Sequence, residues 1–104
     1  MSVIFEFAMF PTDKEESVSP YVARILEAID ERGVTYQLTP MGTIVETETF
    51  EEALSIIDLA YRQLEGDCRR IYSTLKFDIR KGEVGRLKQK VDSVEKKVGK
   101  KLRT

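Results

Sequence analysis

Glu6 is the first residue in this sequence whose type and position could support binding chemistry. It stands between apolar residues in a predicted strand, where a carboxylate costs free energy unless a cation, a hydrogen-bond donor or water meets it. One interpretation is that Glu6 anchors a ligand on an open sheet face. The other is a salt bridge to Lys76 or Arg80 on a neighbouring strand, and the sequence leaves both open.

A second candidate site is the segment Met41-Gly42-Thr43 with Glu46, at a predicted hairpin and the strand that follows it. Gly42 permits close approach of the backbone, and Thr43 offers a hydroxyl group. Residue alternation puts Glu46 on the face opposite Thr43, so Glu46 can share the open face with Glu6 while Thr43 acts through the turn. The alternative is a plain hairpin turn with a solvated acid.

The last predicted strand carries Thr74, Lys76 and Asp78 on one face. These alternating polar residues can present a mixed patch to a small molecule. They can equally form cross-strand charge pairs at an interface.

Missing residue types exclude several classes of active site. The 104-residue chain has no His, which excludes Ser-His-Asp and Cys-His catalysis and metal sites built on His. The lone Cys68 cannot form an intrachain disulfide or a CxxC motif, although Arg69 and Arg70 could lower the pKa of its thiol. We therefore expect no catalytic residues and no bound metal.

Composition and hydropathy predict a soluble, cytoplasmic protein. Charged residues make up 34% of the chain and hydrophobic residues 41%, as in globular domains, and the net charge is -1. The longest apolar segments are too short to span a membrane. The apolar segment near the N-terminus is interrupted by Glu6 and has no basic residue before it, so we expect no signal peptide.

The elements that must position these side chains follow the order β-α-β-β-α-β, with one further helix. Alternating apolar residues predict the strands, and apolar residues at positions i, i+3, i+4 and i+7 predict the helices. The predicted strands cover residues 2–10, 34–39, 43–48 and 70–80, and the final helix covers about 85–103.

Capping residues predict where the first two helices begin and end. Ser19, which is followed by a proline, is the expected N-cap of the first helix, and Gly33 is its expected end. Thr49 and Glu52 form a capping box at the start of the second helix, which Gly66 is expected to end.

This order predicts an α+β, ferredoxin-like βαββαβ sandwich with an extra C-terminal helix, in one domain that spans residues 1–104. Right-handed crossovers put both long helices on one face of a four-stranded antiparallel sheet. The other face carries Ile4, Phe10 and Tyr72, which predicts a partner, most simply another copy of the chain. The terminal helix packs either on that face or on a neighbouring subunit.

Charge is unevenly distributed along the chain. Residues 80–104 hold ten Lys and Arg against three Asp and Glu, a net charge of +7 that leaves -8 for residues 1–79. A basic helix can bind phosphate groups, but more often it is a solvated face that pairs with acidic surface nearby. We favour the second interpretation and expect neither a nucleic-acid nor a membrane partner.

Five segments, at residues 3–11, 17–22, 36–46, 70–76 and 90–94, carry a resemblance that covers nearly the whole chain. In this order and spacing they resemble the small cytoplasmic thiamine-binding proteins. The resemblance implies a ferredoxin-like subunit that assembles into homodimers or homotetramers through its sheet faces. It also implies non-enzymatic binding of thiamine or of its hydroxymethylpyrimidine moiety, with no other cofactor. We expect the binding site at an oligomer interface on the open sheet face.

The chemistry of thiamine fits the candidate residues. An aminopyrimidine is joined to a cationic thiazolium, so a carboxylate such as Glu6 or Glu46 can accept a hydrogen bond from the amino group or offset the cation. Threonine hydroxyls and backbone groups can supply directed hydrogen bonds, and Tyr72 or Phe10 can cover the rings. The expected ligand-binding residues are Glu6, Phe10, Met41, Gly42, Thr43, Glu46, Tyr72, Thr74 and Lys76.

Three alternatives come from other functional classes. A structural or regulatory homo-oligomer would have no small-molecule ligand, and its polar sheet face would be only an interface. An RNA-binding module shares this topology but needs paired aromatic residues on two central strands, and residues 43–48 contain none and two acids. An enzyme similar to the acylphosphatases would need an Asn, which this sequence lacks.

Overall fold

The order of helices and strands is the predicted one. The computed structural model describes residues 1–14, 17–82 and 85–104. Its elements are β1 (Ser2–Pro11), α1 (Ser19–Arg32), β2 (Thr35–Thr39), β3 (Gly42–Thr47), α2 (Phe50–Arg62), β4 (Ile71–Arg80) and α3 (Arg86–Val98). The ferredoxin-like βαββαβ fold with an additional C-terminal helix is therefore confirmed.

The four strands form one antiparallel sheet in the order β2-β3-β1-β4. β1 pairs with β4 without interruption, from Ser2 opposite Arg80 to Pro11 opposite Ile71. On its other side β1 pairs with β3, and Glu6 lies opposite Ile44. Glu6 is therefore held on a central strand, in the middle of the sheet.

The core lies between the sheet and the two long helices. Alternation along β1 directs every second side chain to this face, and the Phe5 side chain is completely buried there. α1 and α2 bury apolar side chains against it because their apolar residues recur on one side of each helix. The core contains Val3, Phe5, Phe7, Met9, Ile25, Ile29, Val45, Ala53, Ile56, Ala60, Leu64 and Cys68.

Two of the predicted helix caps are confirmed. Gly33 ends α1 with a φ of 79°, a left-handed conformation that glycine adopts without a steric penalty. The Thr49 hydroxyl accepts a hydrogen bond of 3.0 Å from the backbone N–H of Glu52 and so caps α2.

Three predicted helix boundaries were wrong. Ser19 is already helical, because the carbonyl of Val18 accepts the N–H of Val22, and Val18 is the N-cap. α2 ends at Arg62, before Gly66, and turns occupy residues 63–67. α3 ends at Val98, before residue 103, because a glycine with a φ of 88° follows.

Strand boundaries differ from the predictions by about one residue. Within the described residues, no helix is both long enough and apolar enough to cross a membrane.

Candidate functional site

A groove lies between α3 and the sheet face that α1 and α2 leave uncovered. Its volume is about 440 Å³. Ile4 and Ile44 from the sheet and Leu87 and Val91 from α3 provide apolar walls. The other lining residues are Glu6, Gln37, Lys76, Phe77, Asp78, Arg86 and Lys90. We call this the α3 groove, and it shows that α3 packs on the sheet of its own subunit, one of the two arrangements expected.

Glu6 and Lys76 meet at the groove. They are directly opposite each other in the β1–β4 register, and the Glu6 Oε1 lies 3.0 Å from the Lys76 Nζ. The Glu6 side chain is 38% exposed and that of Lys76 is 80% exposed, so solvent screens the pair and its contribution to stability is small. A salt bridge to Lys76, one of the interpretations that the sequence left open, is present, and the exposed carboxylate keeps the capacity to accept further hydrogen bonds.

Glu46 lies on the same sheet face but is buried beneath the first turn of α3. Its Oε2 accepts hydrogen bonds from the Ser2 hydroxyl at 2.6 Å and from the N–H groups of Gly85 and Arg86 at 2.9 and 3.0 Å. Its Oε1 accepts from the N–H of Leu87 at 3.3 Å. The first N–H groups of a helix have no partner within the helix, so Glu46 satisfies them and caps α3 from a distant strand.

The environment of Glu46 favours its charged form. Burial alone would raise the pKa of the carboxyl group, but the hydrogen bonds from Ser2 and from the backbone of residues 85–87 outweigh burial and lower that pKa. The charged carboxylate is therefore part of the folded structure.

Glu46 should make stability depend on pH at the acidic end. Its pKa is lower in the folded protein than in the unfolded chain, so its contribution is complete above the unfolded value, about 4.3, and is lost as pH falls towards the folded value. We expect Glu46→Gln to cost about 1–2 kcal/mol at neutral pH and to flatten this acidic dependence. Urea unfolding of the unaltered protein and of Glu46→Gln between pH 7 and pH 3 measures the free energy of unfolding at each pH. Parallel pH profiles for the two proteins would contradict this role of Glu46.

Arg86 is a residue of the site that the sequence interpretation missed. Its side chain is only 12% exposed, and its guanidinium donates to the Ser2 hydroxyl and carbonyl, both at 3.0 Å. It also donates to the carboxylate and the carbonyl of Asp78, both at 2.9 Å. Arg86 therefore ties α3 to the start of β1 and the end of β4. The basic character of residues 80–104 was the only sequence signal for this role.

The aromatic candidates form a pair further along the open face. The rings of Phe10 and Tyr72 have centroids 5.8 Å apart, and Tyr72 is 55% exposed. Thr74 is exposed two residues along β4, opposite Ala8. None of these three residues lines the α3 groove.

The hairpin candidates lie elsewhere, at a second cavity of about 300 Å³ on the helix side. Phe10, Met41, Gly42 and Thr43 line it together with apolar residues of α1. Gly42 is needed for close approach of the strands, because a Cβ there would lie 3.0 Å from the carbonyl oxygen of Phe7. Glu6 and Lys76 thus line the α3 groove, and Glu46 is buried at the start of α3. Tyr72 and Thr74 are exposed on the open sheet face, and the other four candidates line the hairpin cavity.

Cys68 does not have the environment of a reactive thiol. Burial raises the pKa of the Cys68 thiol, and the neighbouring Asp67 raises it further. The adjacent arginines, which could have lowered this pKa, do not do so: burial has the largest effect, and the Asp67 Oδ1 lies 3.7 Å from the sulfur. Among the described residues no group of three or more acidic or Cys side chains could hold a metal ion.

Comparison with protein families gives one match along most of the chain. A family model described as thiamine-binding protein matches residues 5–95. A UPF0045 protein of Methanothermobacter thermautotrophicus is 36% identical over 83 residues, which cover 79% of this chain and 84% of that protein.

Solved structures agree with the fold. A protein of Methanocaldococcus jannaschii superposes with a TM-score of 0.79 at 28% identity, covering 89% of this chain and 95% of its own. A candidate thiamine biosynthesis/salvage protein of Thermotoga maritima superposes with a TM-score of 0.77 at 26% identity, covering 90% and 99%.

Proposed function

Because the chain belongs to the thiamine-binding protein family, we propose that it binds thiamine, or the hydroxymethylpyrimidine moiety of thiamine, without converting it chemically. The family is described as one of binding proteins, and the sequence has no His to act as a general base near neutral pH. A relative of similar fold is described in connection with thiamine biosynthesis or salvage, which supports the same ligand class.

The proposed site is the α3 groove, and one observation carries this choice. In the groove a carboxylate, an amide and apolar walls lie together, from Glu6, Gln37 and the pair Ile44 and Leu87. A binding site for a small organic molecule typically combines apolar walls with a few polar groups that set its orientation. The volume of about 440 Å³ is in the range of such sites.

Glu6 and Gln37 match the hydrogen-bonding pattern of an aminopyrimidine. The Glu6 carboxylate can accept a hydrogen bond from the amino group while it stays beside Lys76, because it carries two oxygens. The Gln37 amide can donate to a ring nitrogen and accept from the amino group. Recognition by these two residues would select the pyrimidine end of the ligand.

Charge sets the orientation of the ligand in this proposal. Lys76, Arg86 and Lys90 outnumber Glu6 and Asp78 around the groove. A cationic thiazolium is disfavoured near this excess of positive charge. The neutral pyrimidine therefore enters the groove, and the thiazolium of a whole thiamine molecule points towards solvent.

We further propose that another subunit covers the rest of the open sheet face. α3 lies over one end of that face, and the Phe10–Tyr72 pair is exposed at the other. Exposed aromatic pairs of this kind are common at protein interfaces. A sheet-face interface would put the ligand site next to a second copy of the chain.

Glu6→Gln tests the proposed site. We expect it to weaken the binding of hydroxymethylpyrimidine about 10–100-fold, because a hydrogen bond to a charged acceptor contributes about 1.5–3 kcal/mol. Isothermal titration calorimetry gives the Kd, and the ligand-induced rise in melting temperature should shrink in parallel. Glu27→Gln is the matched control, since it removes the same charge from an exposed position on α1.

A second variant tests where the ligand binds, separately from whether the protein binds it at all. Thr43→Val alters the hairpin cavity, in which the described lining has no charged side chain, and should leave binding unchanged. If Thr43→Val weakens binding and Glu6→Gln does not, the ligand lies in the hairpin cavity. If the unaltered protein shows no heat of binding and no melting shift with either compound, the proposed function is wrong.

A further inference from the structure

A second cleft, beside the α3 groove, lies between α3 and the end of β4. Its volume is about 440 Å³. The positively charged residues that line it are Arg80, Arg86, Lys90 and Lys97, and the others are Gln89, Ser93 and Val94. We call this the basic cleft. No described residue of its lining is acidic, so this part of the surface has a local excess of positive charge.

Helical periodicity explains why these cations lie together. Residues 86, 90, 93 and 97 recur at intervals of three or four, so they occupy one side of α3. Arg80 is the last residue of β4 and adds a charge from the sheet. The two acidic residues of α3, Asp92 and Glu95, do not line the cleft. The acidic surface that was expected to pair with this helix is therefore not found among the described residues of the cleft lining.

The basic cleft adjoins the α3 groove. Arg86 and Lys90 line both of them. Arg86 is only 12% exposed and is held by Ser2 and Asp78, whereas Lys90 is exposed where a ligand can reach it. A molecule bound among the apolar walls of the groove therefore lies next to the cations of the cleft.

We propose that the basic cleft binds the phosphate group of a ligand whose pyrimidine ring occupies the α3 groove. This inference rests on the proposed function, and it makes the preferred ligand a phosphate ester of the hydroxymethylpyrimidine rather than the free alcohol or thiamine. The hydroxymethyl arm carries the phosphate close to the ring, so one molecule can occupy the groove and the cleft together. Ammonium and guanidinium groups bind phosphate oxygens well, and Gln89 and Ser93 can donate further hydrogen bonds.

Charge favours a phosphate ester over the other ligands considered. A phosphate monoester carries close to two negative charges at neutral pH, and the positive charge that disfavours a thiazolium in the groove attracts this group at the cleft. A nucleic acid fits less well, because residues 1–79 carry a net charge of -8 and repel a long polyanion. A single phosphate group interacts mainly with the cations nearest to it, since salt screens more distant charges.

Calorimetric titration with matched ligands tests the proposal. The unaltered protein should bind the phosphate ester about 10-fold more tightly than hydroxymethylpyrimidine itself, because several exposed cations each add a modest attraction to one phosphate group. This preference should shrink as the NaCl concentration rises from about 0.05 M to about 0.5 M, because salt screens exposed charges. Lys90→Gln combined with Lys97→Gln should reduce the preference to about 2-fold or less.

Lys88→Gln combined with Lys96→Gln is the matched control. It removes the same two charges from the same helix, but neither Lys88 nor Lys96 lines the groove or the cleft. The control variant should therefore keep the preference for the phosphate ester. An equal loss of preference in both double variants would mean that only the overall charge of α3 matters, and it would overturn the proposed site.

The choice of ligands separates this inference from the proposed function. If hydroxymethylpyrimidine binds and its phosphate ester binds no more tightly, the basic cleft is not a phosphate site, although the proposed function stands. If neither of these compounds nor thiamine binds, the proposed function is wrong and this inference fails with it. Displacement of the ester by an RNA oligonucleotide, at the same concentration of phosphate groups, would overturn the assignment to a small molecule.

Discussion

Glu46→Ala should release α3 from the sheet. The substitution removes a buried carboxylate that accepts hydrogen bonds from Ser2 and from the first three N–H groups at the start of α3. Loss of this cap is expected to cost about 3 kcal/mol of docking free energy, since each hydrogen bond to a charged group contributes about 1.5–3 kcal/mol and water replaces part of it. α3 buries no side chain completely, so burial of apolar surface contributes little to its docking.

Hydrogen exchange with mass spectrometry measures this effect directly. A released 13-residue helix is marginal in water, so the amides of residues 86–98 should exchange about 100-fold faster. The amides of α1 and α2 should keep their protection. Glu48→Ala is the matched control, because Glu48 is exposed just beyond the end of β3. Unchanged exchange in α3 would show that its docking does not depend on Glu46.

Glu46→Ala also connects the stability of α3 to the proposed ligand site. Leu87 and Val91 form one wall of the α3 groove, so the groove is present only while α3 is docked. Glu46→Ala should therefore weaken ligand binding although Glu46 does not itself line the groove. Glu46 would thus affect ligand binding indirectly, by holding α3 in position as one wall of the α3 groove.

Arg86→Ala should have the second-largest effect, about 2 kcal/mol in the free energy of unfolding. The substitution removes four hydrogen bonds that tie α3 to Ser2 and to Asp78. Arg86→Lys should recover only part of the loss, because a lysine ammonium cannot reproduce the planar arrangement of donors that reaches both strands. Urea unfolding monitored by circular dichroism gives both values, and equal stability of the lysine variant and the unaltered protein would contradict this account.

Glu46 and Arg86 should act together. The Ser2 hydroxyl donates to Glu46 and accepts from Arg86, so it links the two side chains. A double-mutant cycle with Glu46→Gln and Arg86→Ala should give a coupling energy of about 1 kcal/mol. Additive effects would mean that the two residues hold α3 independently.

Together these contacts explain why a helix rich in charge packs on a sheet. α3 presents only a narrow apolar seam, and several of its apolar side chains remain exposed, among them Val94 and Val98. Burial of apolar surface therefore contributes little to its position. A buried carboxylate at its first turn and a nearly buried guanidinium provide the specificity instead.

The local pattern of the sequence was sufficient to predict the fold. Alternation in residues 70–80 and the i, i+4 spacing in the helices depend only on which face of each element is apolar, and that property is encoded by near neighbours. Gly33 and Thr49 cap their helices as expected, because a left-handed glycine and a threonine hydroxyl act within one turn of the chain. The Glu6–Lys76 salt bridge could also be named from the sequence as one possibility, since two long alternating strands left few choices of register.

The division of the candidate residues was decided only in three dimensions. Alternation placed Glu46 on the open face, but α3 returns to that face from 39 residues away and surrounds the carboxylate, whereas Thr43 is turned towards the helices. The elements, their order and the face that each strand residue occupies could be predicted because they follow from local stereochemistry. The tertiary structure decided which polar groups meet, since hydrogen bonds such as that from Arg86 to Ser2 join residues 84 positions apart and depend on where the whole chain brings them.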